Sequence, residues 1–269
     1  MSEKILYNLL ILVILISFSC EKHIELHPEN SEEKVMVEAM FTNLPFVSSI
    51  KLSKTKDINE DILNHPKITD ADVHILDLTT NDTIFFTSHN DGSYTTNVSG
   101  IPGHRYRLEI NTENQLITSE KLMLHSVSLN QVKSHPKERT NQYYLEMVFD
   151  DDPNTQDFYL FTATNINNPN DTRIFVLSDL EYNFQTHSIS VSDELFNFGE
   201  NWQIIMLHLD RENYEYFKIL NRARNSLLHG GHPFYGLSLG NPVSTVHGKK
   251  TMGYFVTSSV SISPIVIGN

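Results

Sequence analysis

Cysteine is almost missing from this sequence, since Cys20 is the only cysteine among 269 residues. A single thiol cannot form an internal disulfide, so the sequence excludes a fold that depends on disulfides within the chain. A free thiol is also a liability in an oxidising compartment. The position of Cys20, at the end of an apolar segment, therefore needs an explanation of its own.

Basic residues are scarce relative to acidic ones. There are 20 lysines and arginines against 33 aspartates and glutamates, which gives a formal net charge of −13. A chain with this charge is repelled by polyanions, which argues against nucleic-acid binding and against electrostatic docking on anionic lipid. The acidic excess is consistent with a soluble, well-hydrated surface.

Two familiar catalytic motifs are absent, H-E-x-x-H and the P-loop. The one cysteine is better explained by export than by catalysis. We therefore expect a protein that is not an enzyme and that has no cofactor. A hydrolase remains an alternative, because paired carboxylates for glycoside hydrolysis come together only in the folded chain.

The first residues have the pattern of a bacterial lipoprotein export signal. Lys4 precedes an almost wholly apolar run, Ile5–Phe18. This run is shorter than the roughly 20 residues that span a bilayer, but it suits the apolar part of a signal peptide. We predict a signal peptide over residues 1–19 and lipidation of Cys20, although Ser17 stands where a lipobox usually has leucine. Cleavage elsewhere, or an N-terminal membrane anchor, is the alternative.

Residues 20–33 predict a flexible tether. The segment is acidic, carries Pro28 and has little apolar surface to bury. From Val35 onward the composition changes to short segments rich in β-branched and aromatic residues. No later apolar segment is long enough to span a bilayer as a helix.

A first β domain is predicted over residues 34–125. Ala71–Leu78 alternates polar and apolar residues, the period of a half-buried strand. Asp91-Gly92 is a turn signal between two strands. Further strands are predicted at Val35–Phe41, Ser49–Ser53, Thr83–Phe86, Gly103–Ile110 and Gln115–Met123. Strands at this spacing, without a helix, predict a β-sandwich.

A second, β-rich domain is predicted over residues 126–269, with polar Ser126–Thr140 as the crossing between the two. Its one helix should cover residues 211–228, with Asp210 as its N-cap. The predicted buried face of that helix consists of Tyr214, Phe217, Leu220, Ala223 and Leu227. The predicted strands are Gln142–Phe149, Phe158–Asn165, Arg173–Leu177, Ser188–Val191, Trp202–Leu209 and the closing segment Gly253–Ile267.

Three groups of residues are candidates for binding. An acidic turn offers Asp150, Asp151, Asp152, Asn154 and Asp157 as calcium ligands, because calcium takes oxygen donors, although the same residues are typical of a turn between strands. His229 and His232 are candidate transition-metal ligands, or else the polar end of a helix. Trp202, Phe234 and Tyr235 form either a ligand platform or part of the core.

The order of several short motifs resembles the Bacteroidetes lipoprotein family catalogued as domain of unknown function 4249. These motifs are Glu21-Lys22, Val35-Met36-Val37-Glu38-Ala39, Ala71-Asp72-Val73, Asp91-Gly92-Ser93-Tyr94, Pro102-Gly103-His104-Arg105-Tyr106, Asp157-Phe158-Tyr159, Pro233-Phe234 and Gly253-Tyr254-Phe255. The first domain also resembles a transthyretin-like β-sandwich, through the Ala71–Leu78 strand and Asp91-Gly92-Ser93-Tyr94. The expected fold is therefore mainly β, with an N-terminal Ig-like or transthyretin-like β-sandwich followed by a second β-rich domain with one packed helix. The family resemblance adds no fold element to this expectation. It implies no catalytic residues.

The resemblance also implies a location and a partner. Proteins of this kind accompany TonB-dependent outer-membrane transporters, and acidic residues after the lipidated cysteine are similar to a surface-export signal. We expect a non-enzymatic lipoprotein anchored in the outer membrane, on the cell surface or on the periplasmic face, that captures a ligand for such a transporter or acts as its lid. An adhesin or structural surface module is the alternative.

Overall fold

The computed structural model describes residues 33–55, 65–112, 115–125, 127–152, 154–179, 186–228 and 244–268. In chain order the elements are β1 (Val35–Thr42), a 3₁₀ helix (Pro45–Val47), β2 (Ser49–Lys54), β3 (Asp72–Asp77), β4 (Thr83–Phe85), β5 (Thr87–Ser88), β6 (Ser93–Thr95), β7 (Arg105–Thr112), β8 (Gln115–Leu122), β9 (Leu129–Pro136), β10 (Gln142–Asp150), β11 (Phe158–Asn165), β12 (Asn168–Ser178), β13 (Thr186–Asn197), β14 (Asn201–Leu209), α1 (Arg211–Leu228), β15 (Thr251–Ser258) and β16 (Val260–Val266). The predicted mainly β fold is confirmed. Within these ranges, no helix is both long enough and apolar enough to cross a bilayer.

The first sandwich consists of two packed sheets. One has the strand order β15-β1-β2-β6-β5 and the other β4-β3-β7-β8. Alternate residues of each strand face the space between the sheets, as in β3, where Val73, Ile75 and Asp77 are buried. Phe41, Tyr94 and Tyr106 fill the centre of this core. Gly92 has a φ of +83°, as the predicted Asp-Gly turn requires.

The second sandwich packs a three-stranded sheet, β13-β10-β9, on a four-stranded sheet, β12-β11-β14-β16. Strand β11 is buried on both faces. Tyr159, Phe161 and Ala163 face the three-stranded sheet, whereas Phe158 and Leu160 face α1. The four-stranded sheet is therefore the middle layer between the three-stranded sheet and the helix.

The helix begins where the sequence predicts. Asp210 accepts a hydrogen bond from the Asn213 amide through Oδ1, at 2.8 Å, which is an N-cap. Tyr214 and Phe217 are buried as predicted, but Leu220 is 39% exposed, so its place in the buried face was wrong. The helix packs against β11 and β12 on one side and β15 on the other. Tyr216 is therefore buried against Tyr254, with ring centroids 5.4 Å apart, and Leu220 is turned away.

The polar segment predicted as a crossing contains a strand, β9, which is a correction. It pairs with β10 at the edge of the three-stranded sheet. Leu129 and Val132 pack on the core, whereas Asn130 and Gln131 are exposed. Edge strands commonly carry polar residues and proline, so the apolar pattern is too sparse to predict this strand.

The closing segment forms two strands in different sheets. β15 pairs in parallel with β1 of the first sandwich, with Val37 opposite Gly253. β16 pairs antiparallel with β14 of the second. The predicted boundary near residue 125 falls between β8 and β9, which belong to different sandwiches, and residues from Glu32 onward form one compact unit.

Candidate metal centre

The acidic turn between β10 and β11 separates its carboxylates into two groups. Asp150 accepts a hydrogen bond from the Asn130 side chain at 2.8 Å. Asp152 accepts from the Asn154 amide at 2.9 Å and from its side chain at 2.8 Å. Asp152 and Asn154 thus bond to each other within the turn, whereas Asp150 is the last residue of β10 and bonds across to β9. The other two candidates, Asp151 and Asp157, lie elsewhere.

Asp157 meets Asp151, from the same acidic turn, and Asp179, which the sequence did not single out. One carboxylate oxygen from each of the three lies within 4.8 Å of the others. Asp151 directly follows β10, Asp157 directly precedes β11, and Asp179 directly follows β12. We call this group the aspartate cluster.

Strand pairing brings the cluster together. β11 and β12 run antiparallel with Phe158 opposite Ser178. The next pair outward is therefore Asp157 and Asp179, whose backbones are joined by a 3.3 Å hydrogen bond from the Asp179 amide to the Asp157 carbonyl. Asp151 reaches the same place from β10, which belongs to the facing sheet. The cluster thus joins the two sheets of the second sandwich at one end.

Each carboxylate is held by a neighbouring group. The Tyr159 hydroxyl donates to Asp151. The Asp157 amide donates to Asp179 Oδ1 at 2.8 Å. His208 Nε2 lies 2.7 Å from Asp157 Oδ1, and its Nδ1 lies 3.0 Å from the His125 carbonyl oxygen. The carboxylates are therefore fixed in direction before any ligand arrives.

Electrostatic repulsion works against this arrangement. Two unit charges 4.8 Å apart repel by about 3.5 kcal/mol at an effective dielectric constant of about 20. Burial raises the pKa of Asp151; the Tyr159 hydrogen bond lowers it, and the charges of Asp157 and Asp179 raise it again. Burial also raises the pKa of Tyr159, which keeps its hydroxyl a donor.

One oxygen in the cluster is left without a partner. Asp179 is 4% exposed, and its Oδ2 has no hydrogen-bond partner within the described part of the chain. A buried carboxylate oxygen in that position costs free energy unless a proton or a cation satisfies it. The donor set is oxygen only, which is the chemistry of hard cations such as calcium.

A second candidate site is an open cleft of about 860 Å³ in the first sandwich. Its lining includes two acidic residues, Glu33 and Asp70, and five lysines: Lys34, Lys54, Lys67, Lys249 and Lys250. Lys54 is paired with Glu33 at 3.2 Å. We call this the basic cleft, because positive charge is concentrated there although the chain as a whole is acidic.

The remaining sequence candidates divide into those inside and those outside the described residues. Trp202 is fully buried and lies in the core of the second sandwich, with Phe196 edge-on at 4.8 Å. Core packing, the alternative weighed for Trp202, is therefore what the structure shows. Four other candidates lie outside the described residues: His229, His232, Phe234 and Tyr235.

One motif in that same stretch escaped the sequence reasoning. Gly236-Leu237-Ser238-Leu239-Gly240 has the G-x-S-x-G spacing of a hydrolase nucleophile turn. In hydrolases the motif joins a strand to a helix, and that context is what gives it meaning. Residues 229–243 lie outside the described part of the chain.

The fold and the cluster define a class: a two-sandwich β protein with a buried group of carboxylates. The chain belongs to the family described as Domain of unknown function (DUF4249), whose model matches residues 21–262. This confirms the resemblance drawn from the motif order. A comparison with curated proteins gives no match.

Three solved structures show distant similarity. A two-domain fibronectin type III segment of chicken tenascin is 7% identical over 65% of this chain and 88% of its own, with a TM-score of 0.22. The FN1–FN3 domains of chicken CNTN1 are 9% identical over 65% and 58%, with a TM-score of 0.25. CBD12 from CALX1.2 is 10% identical over 86% and 100%, with a TM-score of 0.21. The fold of this chain is defined by its own strand pairing.

Proposed function

We propose that this protein is a non-enzymatic lipoprotein, anchored through Cys20 in the outer membrane, that captures a ligand for a TonB-dependent transporter. The anchor is supported by the apolar run Ile5–Phe18 before Cys20. A lipidated cysteine holds a protein at a membrane through its buried acyl chains. The transporter partner is supported only by the resemblance in motif order.

The basic cleft is the observation that favours ligand capture over a lid. Five lysines around one cleft attract an anion. The attraction is confined to the cleft, since the chain as a whole carries a net charge of −13 and repels anions elsewhere. The cleft includes Glu33, the last residue of the predicted tether, and Lys34, which directly follows it. An anionic ligand is therefore the chemistry that the cleft favours.

Co-purification from native membranes tests the transporter partner. A tagged protein solubilised with mild detergent is expected to recover a β-barrel transporter repeatedly. A Cys20→Ser variant, which cannot be lipidated, should be absent from the membrane fraction. Consistent recovery of the wild type without any transporter would contradict the partnership.

Native mass spectrometry tests ligand capture. Protein purified from membranes is expected to carry a bound anion that is lost in the double variant Lys67→Glu, Lys249→Glu. Lys51→Glu is the control, since Lys51 is an exposed residue of β2 that does not line the cleft. Equal retention by all three proteins would rule out the cleft as the site.

Two other functions are separated by further measurements. If the protein is an adhesin or structural surface module, its deletion should reduce attachment and leave nutrient uptake unchanged. If it is a serine hydrolase that uses the Gly236–Gly240 motif, it should hydrolyse p-nitrophenyl acetate, and Ser238→Ala should abolish that activity. Under our proposal the purified protein shows no Ser238-dependent hydrolysis.

A further inference from the structure

We propose that the aspartate cluster, Asp151, Asp157 and Asp179, binds a calcium ion. This site is distinct from the basic cleft and independent of the transporter hypothesis, because it lies in the other sandwich and attracts the opposite charge. Asp151 and Asp157 belong to the acidic turn that the sequence offered as a calcium loop, whereas Asp179 was not among the sequence candidates.

The spacing of the oxygens suits calcium. Calcium holds its oxygen ligands at about 2.3–2.6 Å, so ligands on opposite sides of the ion lie up to about 5 Å apart. The three carboxylate oxygens all lie within 4.8 Å of one another, so side-chain shifts of a few tenths of an ångström bring all three onto one ion. Water completes the six to eight ligands that calcium usually takes.

The buried oxygen of Asp179 points independently to a cation. Asp179 is the most deeply buried member of the cluster, and its Oδ2 has no hydrogen-bond partner among the described residues. Repulsion from Asp151 and Asp157 adds to the cost of leaving that oxygen bare. A divalent cation removes both costs at once, because it coordinates the oxygen and neutralises the neighbouring charges.

The neighbours of the cluster favour a hard cation over a transition metal. Within the described ranges, His208 is the only histidine in contact with these carboxylates. Both of its ring nitrogens are engaged, Nε2 with Asp157 and Nδ1 with the His125 carbonyl. It therefore orients Asp157 and does not offer a nitrogen ligand. Tyr159 orients Asp151 in the same way.

The bound ion would hold the two sheets of the second sandwich together. Asp151 extends from the three-stranded sheet, whereas Asp157 and Asp179 extend from the four-stranded sheet. Calcium bound to all three joins the two layers at one end of the second sandwich. Binding to the folded state alone stabilises that state by mass action, so calcium should raise the resistance of the protein to unfolding.

The test is calcium-dependent unfolding of the full chain in detergent, after treatment with EDTA. With a Kd of about 10⁻⁴ M, as in extracellular calcium modules, 10 mM calcium chloride should raise the melting temperature by about 5–10 °C. Asp179→Asn should lose this rise and weaken calcium binding, measured by calorimetry, at least about tenfold. Asp152→Asn is the matched control, because Asp152 lies in the same turn and outside the cluster, and it should keep the wild-type response.

Several results would overturn the proposal. A wild-type melting temperature that is the same in calcium and EDTA would show that a shared proton, and no metal, satisfies the cluster. An equal loss of response in Asp152→Asn and Asp179→Asn would place the ion elsewhere in the turn. An equal shift with magnesium would overturn the assignment to calcium. If Asp179→Asn does not fold, Asp157→Asn replaces it, and retained tight binding in that variant would equally refute the site.

Discussion

Each sandwich of this protein buries an aspartate to the same extent, and the two aspartates meet opposite surroundings. Asp77 in the first sandwich and Asp179 in the second are both 4% exposed. Asp77 Oδ1 accepts from the Thr79 amide at 2.9 Å and the Thr80 amide at 3.3 Å, and its Oδ2 lies 2.8 Å from His104 Nδ1. Asp179 Oδ2 has no hydrogen-bond partner within the described ranges, and the Asp179 carboxylate lies beside two further carboxylates.

This difference shows that burial alone does not distinguish a structural carboxylate from a binding one. Burial acts to raise the pKa of Asp77, but its hydrogen bonds to His104 and the two amides outweigh that effect and lower the pKa overall. In the aspartate cluster, burial and like charge act together and raise the pKa of Asp151. The partners already present therefore decide whether a buried carboxylate is satisfied or still requires a ligand.

The largest expected effect is in the first sandwich, at Gly253, where β15 pairs with β1. A Cβ at this position would lie 1.8 Å from the Val37 carbonyl oxygen, and the φ of Gly253 is +131°. Gly253→Ala should therefore break the pairing of β15 with β1 and cost more than about 4 kcal/mol of unfolding free energy. Urea denaturation measures this cost.

Gly199→Ala is the control for Gly253→Ala. Gly199 also has a positive φ, +80°, but nothing lies within 4 Å of its Cβ position. Gly199→Ala should lower the unfolding free energy by only about 1 kcal/mol, which is the cost of a positive φ at a residue with a Cβ. Equal losses in the two variants would show that the close approach of β15 to β1 contributes nothing.

Asp77→Asn should be the next most damaging change. The amide keeps the shape of the side chain but loses the charge that binds His104 and strengthens the two backbone hydrogen bonds. We expect a loss of about 2 kcal/mol at neutral pH. Asp82→Asn, in an exposed position of the same turn, should change the unfolding free energy by less than about 0.5 kcal/mol. If Asp77→Asn leaves the unfolding free energy unchanged, Asp77 is not a structural carboxylate of the kind described here.

The effect of Asp77 should also depend on pH. Its pKa in the folded state lies below its ordinary value, so it stabilises the protein above that ordinary value, and this contribution is lost as the pH falls through the folded-state pKa. The difference in stability between wild type and Asp77→Asn should therefore narrow between about pH 5 and about pH 3. A difference that widens on acidification would contradict the sign of this shift.

The smallest expected effect is that of Asp179→Asn in EDTA. The variant keeps the hydrogen bond from the Asp157 amide to Oδ1 and removes one of three like charges. Unfolding in chelator should show no loss of stability, or a gain of up to about 1 kcal/mol. A loss as large as that of Asp77→Asn would mean that Asp179 has a structural role like that of Asp77.

Much of the fold was predictable because its cause is local. Strands with one buried face carry a period of two, so β1, β3 and β11 were predicted to within about two residues. The Asp210 cap of α1 is likewise a local signal. β9 was not predictable in this way, because an edge strand that buries little leaves hardly any apolar pattern.

The meeting of Asp157 and Asp179 in the aspartate cluster could not be predicted from the sequence. Asp179 lies 22 residues from Asp157, and only the register of β11 and β12 brings them together. Asn165 pairs with Asn168, and that register continued unbroken would place Val176 opposite Asp157. An irregularity after Thr164 shifts the pairing, so that Phe158 meets Ser178 and Asp157 meets Asp179.

The sequence by itself determined the alternation of strands, the position of the one helix in the described chain, the turn at Gly92 and the prediction that Cys20 carries a lipid. These features depend on residues close together in the chain. The tertiary structure alone decided that consecutive strands, β15 and β16, complete different sandwiches, and that one carboxylate from the three-stranded sheet meets two from the four-stranded sheet. Register and sheet packing are set by long-range contacts, so the pattern of a single segment does not contain them.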